Sequence, residues 1–196
     1  MIAVIDYGAS NLQSVCNALK ILMQEYKVVF RPQELVGAQK VILPGVGAAG
    51  SAMNSLLKSG FADAIPRLNI PFLGICLGLQ LLADFSEEGN TSCLSVIPGR
   101  VKKFLSGQLK VPQIGWNRVE FVKPSPLFEG IPNESSFYFV HSFYCDAPEE
   151  NTFGKTLYGA SFSSVLQKEN FYATQFHPEK SGVLGLRLLR NFCEQC

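Results

Sequence analysis

Residues 72–80 read Phe72-Leu-Gly-Ile-Cys-Leu-Gly-Leu-Gln80 and predict a buried strand that turns sharply into a helix. The apolar run Phe72-Leu-Gly-Ile-Cys is typical of a strand covered on both faces, as in a parallel sheet. The helix is expected over Leu77 to Ala83, and Gly74 and Gly78 flank the turn. Strands that feed directly into helices are the units of α/β folds, so this segment indicates the fold class.

The residues before this segment show the same alternation. Strands are predicted at Ile2-Ala-Val-Ile, Val28-Val-Phe and Lys40-Val-Ile-Leu. After the first strand, one apolar face predicts a helix with Ser10 as its N-cap; its members are Leu12, Val15, Leu19 and Leu22. The strand that begins at Lys40 leads into residues 44–50, a loop rich in glycine. Strands that alternate with helices imply a parallel sheet covered on both faces.

The pattern changes after about residue 90, where short β-rich segments are separated by Pro and Gly turns. These segments are Arg100-Val, Asn117-Arg-Val-Glu-Phe-Val, Phe137-Tyr-Phe-Val and Phe171-Tyr-Ala-Thr-Gln-Phe. Residues 185–192 close the chain with an apolar-periodic helix. We therefore predict an α/β fold: a mostly parallel sheet flanked by helices, with an additional, partly antiparallel β layer, in a single domain over residues 1–196.

Composition excludes several classes of protein. The hydrophobic share is 47% and the charged share 17%, which is unlike a disordered chain. Because 17 basic residues face 16 acidic ones, the formal charge is +1, and bulk charge indicates no nucleic-acid or membrane partner.

The sequence favours a cytoplasmic location. Met1-Ile-Ala-Val-Ile-Asp6 has no basic leader, and the longest apolar run, residues 70–83, is too short to span a bilayer. The six cysteines are interpreted as free thiols in a reducing compartment. Cys193-Glu-Gln-Cys196 lacks a second Cys pair, so we expect no metal site there, and no cofactor is expected elsewhere.

Gly74-x-Cys76-x-Gly78 at the end of a strand has the layout of a nucleophile elbow with Cys in place of Ser. The glycines are expected because the tight turn leaves no room for side chains beside the nucleophile. The partial positive charge at a helix N-terminus favours a Cys76 thiolate, and the Leu77 N–H can face an oxyanion. A buried core cysteine between two packing glycines is the alternative, and the motif alone does not decide between them.

A thiol nucleophile needs a base, and the chain has two histidines, His141 and His177. His177-Pro178-Glu179 follows a strand, and residues i and i+2 of an extended segment point the same way. Glu179 is therefore placed to orient the His177 imidazole, as the acid of a triad does. A surface His-Pro-Glu turn is the alternative for this motif, and we interpret His141 as structural.

The conjunction of these motifs resembles the class I (triad) glutamine amidotransferases. Gly74-Ile-Cys-Leu-Gly-Leu-Gln80, His177-Pro-Glu179 and Pro44-Gly-Val-Gly47 carry the resemblance. Within that class the chain is similar to the glutaminase subunits of histidine biosynthesis. Further segments match that group: Asp6-Tyr-Gly-x-x-Asn11, Pro112-Gln-Ile-Gly-Trp-Asn117, Tyr138-Phe-Val-His-Ser142 and His177-Pro-Glu-Lys180.

The resemblance implies a role for each matching position. Cys76 would attack the carboxamide of glutamine, His177 would relay protons and Glu179 would hold His177. The oxyanion hole would come from the backbone of Gly45, Val46 and Gly47 together with Leu77. The amino-acid end of glutamine would be held by Gln80, Glu88 and the backbone around Ser142 and Phe143.

The resemblance also implies a partner, a separate (β/α)8-barrel cyclase subunit that uses the released ammonia. Asn11, Trp116, Tyr138 and Lys180 match positions that family members place at the interface with this partner. Judged without the family pattern, Trp116 and Tyr138 would be ordinary packing residues and Lys180 a solvated charge.

Three positions depart from the family pattern, and they keep other readings open. Ser10 stands where Gly is frequent, Ala49 where a large aromatic is common, and Phe143 where Tyr is common. Close paralogues feed ammonia to other synthases, including those that make surface-polysaccharide sugars. A catalytically silent regulatory subunit, another cysteine hydrolase and a thiol stress sensor are the remaining alternatives.

Overall fold

The computed structural model describes residues 1–8, 12–105 and 109–196. Ser10, the expected N-cap, and Asn11, an expected interface residue, lie outside this part of the chain. Within the described ranges there are five α-helices. They are α1 (Leu12–Ile21), α2 (Ala49–Ser59), α3 (Phe61–Ala64), α4 (Leu77–Leu82) and α5 (Gly182–Gln195).

The same ranges contain thirteen strands that hydrogen-bond into one network. They are β1 (Ile2–Ile5), β2 (Tyr26–Val29), β3 (Lys40–Gly45), β4 (Phe72–Cys76), β5 (Phe85–Ser86), β6 (Thr91–Ser92), β7 (Arg100–Lys103), β8 (Gln113–Phe121), β9 (Ser135–His141), β10 (Phe143–Asp146), β11 (Thr152–Tyr158), β12 (Ala160–Lys168) and β13 (Phe171–Thr174).

The core of this network is the parallel sheet β2-β1-β3-β4-β13. Three of its strands, β1, β4 and β13, are buried along their length because helices cover both faces. Ala3 and Ile5 of β1 belong to the cluster on the α2 and α4 face. Ile2 and Val4, which alternate with them, pack with α1 and α5 on the opposite face.

The predicted antiparallel strands follow residue 90 and join the parallel sheet through β12. That strand pairs antiparallel with β13, β10 and β11, and β11 continues to the β8–β9 hairpin. β5 and β7 are parallel to each other, so the second half of the sheet is mixed. Helices α2 and α3, for which the sequence analysis made no prediction, fill the crossover between β3 and β4.

Because the core strands are parallel, their carboxyl ends meet at one edge of the sheet. β3 ends at Gly45 and β4 ends at Cys76, and these two residues are register partners. β13 ends at Thr174 and leads to His177. This edge therefore collects the residues to which the sequence assigns chemistry.

Candidate active site

Cys76 lies at a sharp turn between β4 and α4. Its backbone has φ 55° and ψ −105°, a conformation that L-residues rarely adopt. Such strain persists only where the surrounding structure enforces it, and it concentrates at functional sites. The side chain is 6% exposed and reaches a cavity at the sheet edge.

The glycines around this turn are required by close backbone contacts. A Cβ on Gly78 would lie 2.1 Å from the Leu43 carbonyl oxygen, and one on Gly74 would lie 2.7 Å from the carbonyl oxygen of Gly78. A Cβ on Gly45 would meet the Tyr7 hydroxyl at 2.6 Å. The elbow spacing predicted from the sequence is therefore enforced by packing of α4 against β3 and β4.

His177 and Glu179 form a buried pair behind Cys76. His177 Nδ1 and Glu179 Oε1 are 2.8 Å apart, and their side chains are 1% and 0% exposed. Burial disfavours the imidazolium, but the Cys76 and Glu179 side chains outweigh burial and raise the pKa of His177 to about 10. Because Glu179 takes Nδ1, His177 Nε2 is the ring nitrogen left for Cys76, and it is available for proton transfer.

The backbone of His177 is fixed by its neighbours. Its N–H donates to the Tyr138 carbonyl at 2.9 Å, and its carbonyl accepts from Ser181 Oγ at 2.6 Å. Ser181 Oγ in turn accepts from the Tyr138 N–H at 2.9 Å. A short 3₁₀ turn, Pro178–Lys180, returns Glu179 toward the imidazole. This arrangement holds the imidazole in one orientation relative to β9.

A cavity of about 290 Å³ opens at Cys76. It is lined by seven of the eight residues that the sequence analysis assigns to glutamine and the oxyanion: Val46, Gly47, Leu77, Gln80, Glu88, Ser142 and Phe143. Gly45, the eighth, lies in β3 opposite Cys76. His177 and Glu179 do not line the cavity, so a ligand there would meet the thiol first.

Glu88 also contacts the loop that carries Gly47. Its Oε2 accepts a hydrogen bond from the Ala49 N–H at 2.7 Å, where α2 begins. Ala48, the residue before α2, has no side chain that caps the helix, so the Glu88 carboxylate takes that role. Glu88 therefore joins the cavity wall to the start of α2.

One buried residue beside Cys76 was missed from the sequence. Gln175 Nε2 is 3.7 Å from Cys76 Sγ, and Gln175 Oε1 is 3.1 Å from Gln80 Nε2. Gln80 Nε2 also lies 3.0 Å from the Phe143 carbonyl oxygen. The available signal was a long polar side chain inside Phe171-Tyr-Ala-Thr-Gln-Phe, where an apolar residue is expected.

His141 lies at the end of β9 and its ring nitrogens are bound. Nδ1 is 2.8 Å from the Phe143 carbonyl oxygen, and Nε2 is 2.9 Å from the Gln113 side chain. Burial lowers the pKa of His141 to about 4 although the Phe143 contact opposes this. His141 also lines the cavity, where these two contacts hold its ring.

The shifted pKa of His141 predicts a pH-dependent stability. Because the unfolded chain binds this proton near pH 6.5 and the folded chain near pH 4, the stabilisation is complete above pH 6.5 and is lost as pH falls toward 4. We expect the free energy of unfolding to drop about 3 kcal/mol more across this window in the wild type than in His141→Gln. Urea titrations of both proteins at pH 7 and pH 4 measure this drop in the free energy of unfolding. An equal drop in the wild type and in His141→Gln would contradict the prediction.

The expected interface residues lie on the β8–β9 hairpin and beside Glu179. Trp116 and Tyr138 are register partners, with ring centroids 6.3 Å apart. Trp116 is 59% exposed, and Ile114 on the same face is 58% exposed. Lys180 is exposed. Large apolar side chains are therefore exposed together on this face of the hairpin.

In the described residues no group of three or more His, Cys, Asp or Glu side chains is arranged to hold a metal ion. Cys193 and Cys196 are free thiols. None of the helices in the ranges described has the length and apolar character needed to cross a membrane.

Comparison with known proteins identifies the family. The model of the family described as glutamine amidotransferase class-I matches residues 3–196. The HisH subunit of imidazole glycerol phosphate synthase from Methanocaldococcus jannaschii is 48% identical over 197 residues, which cover 99% of each chain. The HisH subunit from Dehalococcoides mccartyi is 47% identical over 197 residues, which cover 98% of this chain and 96% of the relative.

The fold agrees with this assignment. A solved structure described as a glutamine amidotransferase has a TM-score of 0.77 and 20% sequence identity to this chain. The match covers 99% of this chain and 98% of the chain in that structure. The chain is a glutamine amidotransferase, and it belongs to the class-I family and, within it, to the HisH subunits of imidazole glycerol phosphate synthase.

Proposed function

We propose that this chain hydrolyses glutamine to glutamate and ammonia with Cys76, His177 and Glu179 as its triad. The observation that carries the proposal is the juxtaposition at one sheet edge of a strained Cys76 with a buried His177–Glu179 pair 2.8 Å apart. The ammonia would pass to a (β/α)8-barrel cyclase subunit that makes imidazole glycerol phosphate and aminoimidazole carboxamide ribotide. We assign one domain, residues 1–196, and a cytoplasmic location.

The first chemical step is the transfer of the Cys76 Sγ proton to His177 Nε2. The raised pKa of His177 favours the imidazolium in this pair. Glu179 holds Nδ1 and places its negative charge beside the imidazolium, which stabilises that charge in a buried site. The product is a thiolate–imidazolium pair with no change in net charge.

The thiolate then attacks the carboxamide carbon of glutamine. The carbonyl oxygen gains negative charge and needs N–H donors. Leu77 is the first residue of α4, and the first N–H groups of a helix have no partner within the helix. Gly45 ends β3 opposite Cys76, and Gly47, with φ +97°, lines the cavity. These groups form the oxyanion hole of the proposal.

Collapse of this intermediate breaks the C–N bond. The His177 imidazolium gives its proton to the leaving nitrogen, so ammonia departs and a thioester with Cys76 remains. A water then attacks the thioester, gives a proton to His177, and releases glutamate with the Cys76 thiolate. The sum is glutamine plus water to glutamate plus ammonia.

Recognition of the amino-acid end of glutamine is assigned to the far side of the cavity. The Glu88 carboxylate and the Gln80 amide oxygen suit an α-ammonium group, and both residues line the cavity. The backbone of Ser142 and Phe143 lies on the same wall. Contact between Glu88 and Ala49 N–H links this recognition to the loop of the oxyanion hole.

The partner surface of the proposal is the exposed face of the β8–β9 hairpin together with Lys180; Asn11 is assigned to it from the family pattern. The Tyr138 carbonyl binds the His177 N–H, so this face is directly joined to the triad. Ammonia that leaves Cys76 near such a face enters the partner rather than solvent.

Trp116 is the residue whose loss should weaken this contact most. An exposed Trp packed edge-on against Tyr138 has the character of an interface anchor. We expect Trp116→Ala to weaken cyclase binding roughly 10- to 100-fold, measured by calorimetry. Leu57→Ala, an equally exposed apolar position on α2, is the matched control and should bind like the wild type. Equal binding by both variants would contradict the assignment of this face.

The experiment that tests the proposed function is glutamate release from glutamine. It is measured for the chain alone and again with the cyclase and its ribonucleotide substrate. We expect low activity alone, because the resemblance implies a Gly45–Gly47 loop that needs partner and ligand, and a large rise with both. No rise with an active cyclase would point to a paralogous synthase as the partner. No glutamate under any condition would favour a silent regulatory subunit.

A further inference from the structure

We infer that Gln175 is a further catalytic residue, which donates a side-chain N–H hydrogen bond to Cys76 Sγ and stabilises the thiolate. The inference rests on the proposed function, in which that thiolate attacks glutamine. The observation behind it is a chain of three contacts from the Phe143 carbonyl through Gln80 and Gln175 to the nucleophile.

The orientation of both amides follows from the first contact in this chain. A backbone carbonyl oxygen can only accept, so Gln80 must turn its NH₂ group toward Phe143. The second N–H of that group meets Gln175 at 3.1 Å, and Gln175 must therefore present its oxygen there. The NH₂ group of Gln175 is left facing Cys76 Sγ at 3.7 Å. The Phe143 carbonyl thus fixes the orientation of both amides, so that Gln175 Nε2 donates toward Cys76 Sγ.

Burial makes this donor effective. Gln175 is 0% exposed and Gln80 5% exposed, so bulk water competes little for their hydrogen bonds. The Gln175 backbone N–H donates to the Ser164 carbonyl at 2.9 Å, which fixes its position at the end of β13. A buried amide held at both ends is preorganised for a negative charge on sulfur and needs no rearrangement when that charge forms.

The donor acts at two points of the proposed reaction. When the Sγ proton moves to His177 Nε2, sulfur keeps the electron pair and accepts the Gln175 hydrogen bond, so the reactive ion pair is favoured. When water cleaves the thioester, the sulfur leaves with the same charge and meets the same donor. Hydrogen bonds to charged groups are stronger than those to neutral ones, so the bond strengthens in both charged states.

The same chain couples the nucleophile to the ligand cavity. Both N–H groups of Gln80 are used by Phe143 and Gln175, which leaves Gln80 Oε1 as the atom that can face a ligand α-ammonium. A ligand bound there would hold Gln80, and through it Gln175, in the orientation that serves Cys76.

The test is the alkylation rate of Cys76 by iodoacetamide in the full chain at neutral pH, read on the peptide that contains Cys76. This readout needs neither glutamine nor the cyclase, so it stays informative if the proposed function fails. We expect Gln175→Met, which removes the donor, to slow alkylation roughly 10- to 100-fold. Gln175→Glu, whose carboxylate cannot donate, should slow the alkylation of Cys76 at least as much.

Gln167→Met is the matched control. Gln167 lies on β12 and accepts from Ser125 Oγ at 2.9 Å, away from the cavity. It should alkylate at the wild-type rate, and thermal unfolding should find all three variants folded. Gln175→Met and Gln167→Met leave the titratable groups near Cys76 unchanged, namely His177, Tyr7, His141 and Glu88, whereas Gln175→Glu adds a carboxyl beside the thiol. A wild-type alkylation rate in folded Gln175→Met would overturn the inference, and so would equal slowing in Gln167→Met.

The kcat and KM for glutamine separate the loss of the N–H donor from a general disturbance of the packing around Gln80. In the complex with the cyclase, Gln175→Glu retains an oxygen acceptor for Gln80, so we expect kcat for glutamine to fall while KM stays near the wild-type value. In Gln175→Met both should change, because Gln80 loses its partner as well. A rise in KM alone in Gln175→Glu would contradict a role at the nucleophile.

Discussion

The Cys76→Ala variant is expected to release no glutamate from glutamine, while its complex with the cyclase still makes product from added ammonia. In the proposed mechanism every covalent step passes through Cys76 Sγ, and no other thiol is placed at the cavity by the described residues. Ammonia enters the reaction after these steps, so its direct use does not need the thiol. Parallel assays with glutamine and with ammonium salt measure both activities.

Cys145→Ala is the control for this variant. Cys145 is fully buried on β10 and does not line the cavity. Its loss removes core packing and should lower stability without abolishing glutamine use. Glutamine-dependent synthesis that survives in Cys76→Ala would contradict the proposed mechanism. Loss of the ammonia-dependent reaction would instead show that Cys76 is needed for assembly.

The second large effect is expected at Glu179. Glu179→Gln keeps the shape of the side chain but removes the charge that faces His177 Nδ1 at 2.8 Å. Without that charge the imidazolium loses a stabilising partner, and an amide NH₂ that faces Nδ1 favours the wrong tautomer. We expect kcat for glutamine to fall roughly 10,000-fold, the scale seen when the acid of a triad is made neutral. Steady-state glutamate release in the complex measures the loss.

Glu150→Gln, an exposed position between β10 and β11, provides the same change of charge away from the triad and from the β8–β9 hairpin, and should leave kcat unaltered. The pH profile of Glu179→Gln adds a check. Because Glu179 helps to raise the pKa of His177, its replacement should lower that pKa and move the corresponding limb of the profile to lower pH. A profile that does not move would show that Glu179 does not act on His177.

The sequence predicted the centre of this site better than its surroundings. Gly74 and Gly78 flank a cysteine between strand and helix, and such a turn has few backbone solutions. The side chains of His177 and Glu179 meet as the sequence predicts, but through the 3₁₀ turn Pro178–Lys180 and not through the extended segment that the sequence analysis expected. Both patterns are local, so residues within a few positions determine them.

The contacts that the sequence did not predict join distant parts of the chain. Gln175 meets Gln80 across 95 positions, and Glu88 meets Ala49 across 39. The periodicity of apolar residues along the sequence does not predict such pairs, because they depend on which strands lie side by side in the sheet. Helix α2 was missed because residues 44–50 are rich in glycine, which is typical of a loop, although α2 begins at Ala49.

The most direct test of the central claim is covalent labelling by a glutamine analogue that carries an electrophile at the carboxamide position. The account predicts one adduct per chain in the complex, located on Cys76 by peptide mass spectrometry and prevented by excess glutamine. The other five cysteines serve as internal controls within the same chain. An adduct spread over several cysteines, or one on Cys76 that glutamine does not prevent, would contradict the claim that Cys76 is the nucleophile for glutamine.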